Sequence, residues 1–219
     1  MTTLTRQKSR EIDQLAIDSL GITGLILMEN AGRGCTDFIQ AQPVDSVVLL
    51  CGKGNNAGDG FVIARQLLTR NIPAVTILLD SPTSLVGDAR TNFDILCKLP
   101  ASVLCVESEH VQAMLDELET SSTTAILDCM VGTGGVGDPR IPFKQAIEWA
   151  NAQQALRVAV DIPTGLDCDT GQPGSPTFRA HHTLTMVARK QGFAVAESRE
   201  YTGEVHVIDI GIPLAAVTQ

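Results

Sequence analysis

Five short apolar runs punctuate the middle of the chain, at residues 47–51, 74–79, 102–106, 124–128 and 156–161. Each has the length of a buried strand, usually about 4–8 residues. Between them the apolar positions change to helical spacing. Residues 61–70 carry Phe61, Ala64, Leu67 and Leu68 on one face. Residues 85–99 and 111–118 repeat the pattern, and 143–153 follows Pro142, a residue suited to a helix start. Two further helices are predicted before the first strand: 5–20, with Ile12, Leu15, Ala16 and Leu20 in phase, and 24–40. Segments 182–187 and 204–210 alternate as strands. Strands alternating with helices of about 10–15 residues imply β-α-β units and a mainly parallel α/β sheet covered on both faces.

Open parallel sheets bind ligands beyond the carboxyl ends of their strands. Three strand ends are unusually polar and glycine-rich here. The first is Gly52-Lys53-Gly54-Asn55-Asn56-Ala57-Gly58-Asp59-Gly60. The second is Asp128-Cys129-Met130-Val131-Gly132-Thr133-Gly134-Gly135-Val136-Gly137-Asp138, and the third is Asp161-Ile162-Pro163-Thr164-Gly165-Leu166-Asp167. Glycines admit close backbone approach. A helix start offers free N–H groups to an anion. The 52–60 segment lacks the Gly-Lys-Ser/Thr of a Walker loop and the spacing of a dinucleotide fingerprint. A ligand with two phosphates or two ribosyl halves suits the first two loops together; a tight strand–helix turn is the plainer reading of either one.

Asp128 and Asp161 each end an apolar strand. Buried there, each needs a cation, a donor cluster or a substrate hydroxyl, unless it merely caps the loop that follows. Asn56 and Asp128 offer hard oxygens from different strand ends, a set suited to an oxygen-preferring cation. Lys190 follows an apolar strand and is either a site residue or a solvated lysine. Cys129, beside Asp128, is a nucleophile or an inert buried thiol. The four histidines form no catalytic zinc motif.

Composition narrows the classes. Sixteen Lys plus Arg against 25 Asp plus Glu give 219 residues a net charge of −9. That balance argues against nucleic acid and anionic membrane surfaces as partners. No apolar stretch approaches the roughly 20 residues of a membrane span, and the first residues lack the apolar core of a signal peptide. The six cysteines include no Cys-x-x-Cys pair. They read as reduced and mostly buried, as in a cytoplasmic protein.

Four segments occur in an informative order: Leu27-Met28-Glu29-Asn30-Ala31-Gly32, the 52–60 loop, Val160-Asp161-Ile162-Pro163-Thr164-Gly165, and Asp209-Ile210-Gly211-Ile212-Pro213. Together they resemble the NAD(P)H-hydrate epimerase family, or YjeF N-terminal domain, from about residue 10 to 213. Ala57 stands where the family usually has Gly, Thr164 where it has Ser, and Lys53 where it often has Pro. The resemblance implies a Rossmann-like three-layer α/β/α sandwich, often homodimeric, that interconverts the R and S forms of hydrated NADH or NADPH. A separate dehydratase would then restore the S form. It implies a potassium ion held by Asn56, Asp128 and Thr164. It implies substrate contacts from Asn55, Asn56, Ala57, Gly58 and Asp59, from Gly132, Thr133, Gly134, Gly135, Val136, Gly137 and Asp138, and from Asp161. The chemistry expected of the site makes Asp161 the acid–base group, with Lys190 as a second catalytic candidate. The expected organisation is one epimerase domain over residues 1–219 with no fused dehydratase. Two other functions fit parts of the pattern. Ala57-Gly58-Asp59-Gly60 is similar to the anion hole of ribokinase-like phosphotransferases, and the same fold resembles non-catalytic scaffold or ligand-binding modules.

Overall fold

A computed structural model describes residues 3–213. Seven parallel strands form the central sheet in the order β4-β3-β2-β5-β6-β7-β9. They are β2 (Ser46–Cys51), β3 (Ala74–Leu78), β4 (Ser102–Cys105), β5 (Thr124–Cys129), β6 (Leu156–Val160), β7 (His182–Met186) and β9 (Glu204–Ile208). A small parallel pair, β1 (Thr3–Leu4) and β8 (Arg189–Lys190), stands apart and was not predicted.

The helices are α1 (Arg6–Leu20), α2 (Gly24–Gln40), α3 (Asn55–Thr69), α4 (Gly87–Leu96), α5 (Val111–Asp116), α6 (Phe143–Ala152) and a single turn, α7 (Arg199–Thr202). The strands are buried on both faces, so they read as continuous apolar runs. Along β2, Val47, Leu49 and Cys51 join a core with Ile39 of α2, Phe61 and Leu67 of α3, and Phe93 of α4. Val48 and Leu50 pack instead with Leu115 of α5 and Ile147 and Trp149 of α6. The result is the expected three-layer α/β/α sandwich.

Local chemistry sets the boundaries. Thr5 caps α1, its side chain accepting from Lys8 N at 3.1 Å, and Gly21 ends it in the left-handed region at φ 69°. Of the four residues predicted in phase on α1, Ile12 and Ala16 are buried, whereas Leu15 and Leu20 are exposed. The larger correction concerns α3. It begins at Asn55, six residues before the predicted start, so most of the expected loop is helix. Glycine and asparagine are weak helix formers, but here packing decides. A Cβ on Gly60 would lie 2.8 Å from Cys51 Sγ, and one on Gly58 would lie 2.6 Å from Met28 Sδ. These glycines let the helix press against the sheet and against α2.

The chain enters the sheet at β2, runs outward through β3 and β4, then returns to place β5 on the other side of β2. The order therefore reverses between β2 and β5, and a crevice opens beyond their carboxyl ends at this switch point. No described helix is long and apolar enough to cross a membrane.

Candidate active site

A cavity of about 540 Å³ lies at the crevice. The start of α3 contributes Asn55, Asn56 and Asp59; the loop after β5 contributes Gly132, Thr133 and Gly134; Asp161 comes from the end of β6 and Lys190 from β8. A second cavity of about 710 Å³ adjoins it, sharing Val131 and Gly132 and lined further by Gly135, Val136, Gly137, Asp138 and Thr164. Ala57 and Gly58 line neither cavity. Ala57 is fully buried in the core, and Gly58 faces Met28 and Ala89.

Asp161 sits where the chain leaves β6, with φ 67°. That left-handed conformation is uncommon outside glycine and costs about 1–3 kcal/mol, which the surroundings must hold in place. Its amide donates to Leu184 O at 2.7 Å, fixing the turn. Its Oδ1 is 2.9 Å from Lys190 Nζ, and its Oδ2 accepts from Thr133 N at 3.2 Å. A Cβ at Gly132 would approach Oδ2 to 2.9 Å, so glycine keeps that oxygen free of a neighbouring side chain.

Lys190 is 2% exposed, which overturns the reading of a solvated lysine. Besides Asp161, its Nζ donates to Thr185 Oγ1 at 2.8 Å and Met186 O at 3.0 Å. Val187, between these groups, is also left-handed, at φ 69°. An ammonium this deep requires its carboxylate and acceptors.

Asp128 is fully buried beneath the loop it precedes. Its Oδ1 accepts from Met130 N at 3.1 Å and Thr164 Oγ1 at 2.7 Å, and its Oδ2 accepts from Thr164 N at 2.7 Å. Thr164 Oγ1 also accepts from Val131 N at 3.1 Å. Burial raises the Asp128 carboxyl to about 6 despite these donors. Asn56 is the conspicuous exception to such satisfaction: both its amide oxygen and its amide nitrogen are buried without a partner. It lies against the same loop, since a Cβ at Gly132 would touch its Cγ at 3.5 Å. Buried amides are nearly always partnered, so the orphaned oxygen calls for a ligand. A cation preferring hard oxygens fits this donor set.

Arg10 and Asp88 also line the first cavity and, like Asp13 and Arg6, were missed from sequence. Asp13, on α1, lines the first cavity. Its carboxyl is raised to about 6 by the packing around it, then by the charge of Asp161. Burial also pushes the Asp59 carboxyl well up, with Asp161 and Asp13 adding to the effect. Arg6 fastens the glycine loop from outside: its guanidinium donates to Gly135 O at 2.9 Å and pairs with Asp167 at 3.0 Å. The only hint of Asp13 and Arg6 was position, since both flank the apolar stripe of the first helix. Cys129 is no nucleophile candidate: its thiol is fully buried, and burial, then Cys51, push it well above the ordinary thiol range.

Comparison with known proteins gives the family and the fold. The family model of the YjeF-related protein N-terminus matches residues 24–192. The NAD(P)H-hydrate epimerase of Rhodopirellula baltica is 41% identical, the match covering 99% of this chain and 87% of that one. The epimerase of Pirellula staleyi is 40% identical, with 98% and 94% covered. A bifunctional NAD(P)H-hydrate repair enzyme of Salinibacter ruber is 37% identical over 96% of this chain, which spans 41% of that longer protein. The crystal structure of the yeast protein ynu0 superposes over 94% of this chain and 87% of its own, with a TM-score of 0.75 at 21% identity, and shares the fold. On both the family model and the near-full-length relatives, this chain belongs to the NAD(P)H-hydrate epimerase family, the YjeF-related N-terminal domains.

Proposed function

We propose that the protein interconverts the R and S epimers of hydrated NADH and NADPH. The observation that carries the reading is the buried Lys190–Asp161 pair at the wall of the first cavity, beside the opening left by Gly132. The two adjoining cavities suit the two halves of a dinucleotide. Relatives named as epimerases support the choice over a phosphotransferase or a scaffold.

The hydrate carries a hydroxyl on a ring carbon bonded to nitrogen. The Lys190 ammonium passes a proton through Asp161 to that hydroxyl, which leaves Asp161 a carboxylate and Lys190 neutral. The C–O bond breaks, water leaves, and the nitrogen lone pair forms the C=N bond of a planar cation. The Asp161 carboxylate stabilises that cation. Water adds back to either face and returns its proton through Asp161 to Lys190, so the pair is restored and no oxidant or reductant is consumed. Such acid–base assistance is worth about 10²–10⁴ in rate. Phosphates bind main-chain N–H groups at the start of α3 and in the 132–138 loop. Asn56, Asp128 and Thr164 would hold potassium. Bound there, the ion would supply a positive charge among their oxygens. The protein acts as a homodimer in the cytoplasm, its epimerisation paired with a dehydratase activity.

The test follows epimer interconversion by chromatography. Asp161→Asn slows it by roughly 10²–10⁴. A folded mutant with unchanged turnover refutes the mechanism.

A further inference from the structure

Away from the cavity, at the opposite end of the strands, β7 and β9 bring three metal-ligating side chains together. The two strands pair in parallel with His182 opposite Glu204 and Leu184 opposite His206. Side chains two apart share a face of a sheet, so His182, Glu204 and His206 project from the same side. His182 Nδ1 lies 3.1 Å from His206 Nε2. Glu204 Oε2 is 3.8 Å from the first nitrogen and 3.9 Å from the second.

We propose that His182, His206 and Glu204 form a binding site for a borderline divalent transition metal of the zinc, nickel or copper(II) class. Zinc bonds to nitrogen and oxygen run about 2.0–2.2 Å, which sets ligand atoms about 3.3–3.6 Å apart at the corners of a tetrahedron. The three atoms already form a triangle of nearly that size. Reaching it needs a few tenths of an ångström: the two imidazole nitrogens part slightly from 3.1 Å, and Glu204, whose side chain is 70% exposed and free to move, closes in. Two imidazoles and one carboxylate are the ligand types this metal class prefers over magnesium or calcium.

The rings are held for the task. Phe38 of α2 packs against both, with ring centroids 5.2 Å from His182 and 4.7 Å from His206. Both histidines are mostly covered, with side chains 22% and 28% exposed, while the Glu204 side stays open to solvent and to a fourth ligand such as water. A metal here clips the last strand of the sheet to its neighbour. It serves structure and lies outside the reaction.

The test titrates zinc chloride into chelator-treated protein by calorimetry, with melting followed in parallel. A single saturable site is expected, with a higher melting temperature for the zinc-loaded protein. His206→Ala should weaken binding beyond the roughly 10–100-fold loss typical of outer-sphere changes. His110→Ala should leave binding unaltered, and so excludes the exposed Glu107, Glu109 and His110 cluster. In case His206→Ala fails to fold, copper(II) in the unaltered protein should give an electron paramagnetic resonance spectrum with two nitrogen ligands. Absence of saturable binding overturns the proposal and leaves the 3.1 Å contact a hydrogen bond between imidazoles. Binding that survives His206→Ala, or a copper spectrum with fewer than two nitrogens, also overturns it.

Discussion

Replacing Lys190 with Met tests whether the buried pair is held together as described. Methionine keeps the length and apolar stem of the side chain, so the change removes the charge and donors with little change in volume. Lys190 is 2% exposed, and Asp161 carries 16% exposure of its side chain. Breaking a fully buried pair by deleting one partner costs about 3–5 kcal/mol, because the other charge stays behind unpaired. Asp161 keeps Thr133 N as a donor and reaches the cavity. Those contacts screen it, so the expected cost falls to about 2–3 kcal/mol. For a chain of this size each kcal/mol lowers the melting temperature by about 2–4 °C, which gives a drop of about 4–12 °C.

The double mutant supplies the internal control. With Asp161→Asn no charge remains to be compensated, so Lys190→Met on that background should cost about 1–2 kcal/mol less than alone. Urea denaturation of the four proteins measures both quantities. A loss under about 0.5 kcal/mol for Lys190→Met, or strict additivity in the double mutant, would show that Lys190 and Asp161 are not energetically coupled.

Two further outcomes follow from residues first recognised in the structure. Asp13 has a folded carboxyl raised to about 6 against an ordinary 3.8, so the folded state binds the proton more tightly and stability falls as pH rises from about 4 to about 6. Asp13→Asn should therefore raise the melting temperature more at pH 7.5 than at pH 4.5; equal shifts at both would refute the assignment. Arg6→Ala releases Gly135 O and Asp167 from the outside of the glycine loop. Steady-state kinetics should show KM rising about tenfold, the loss of one charge-assisted hydrogen bond of roughly 1.5 kcal/mol, with kcat changed by less than twofold; a collapse of kcat at constant KM would place Arg6 in the chemistry instead.

Strand positions were legible because strands covered on both faces leave uninterrupted apolar runs. The start of α3 was not. Asn55 to Gly60 looks like a loop by propensity, and only the close approach of Gly58 to Met28 and Gly60 to Cys51 explains why it winds into helix. The glycine-rich strand ends pointed correctly to the crevice, since loop chemistry is written in consecutive residues. Convergence across distant segments was harder to read. Asp13 and Arg6 reach the site because β1 pairs with β8, a two-residue ladder too short to leave any periodic trace. Lys190 gave no sign of burial, because its partner lies 29 positions earlier and depends on a left-handed turn at Asp161 that no local pattern marks.

The charge of the cavity separates the two ends of the proposed substrate. Asp13, Asp59, Asp88 and Asp161 line the cavity together with Arg10, Lys53 and Lys190. At the reacting end the Asp161 carboxylate repels phosphate. The same charge favours a ring that becomes positive as its hydroxyl leaves. Burial chiefly raises the carboxyls of Asp13 and Asp59, and the charge of Asp161 adds to it. Pyrophosphate must therefore lie away from Asp161, toward the main-chain donors of the glycine loop. With a net charge of −9 the protein offers no long-range attraction to a dinucleotide. Orientation comes instead from the opposition between the Asp161 carboxylate and a neutral cradle of N–H groups. A substrate bound backwards would set phosphate against Asp161, and that repulsion selects the productive pose.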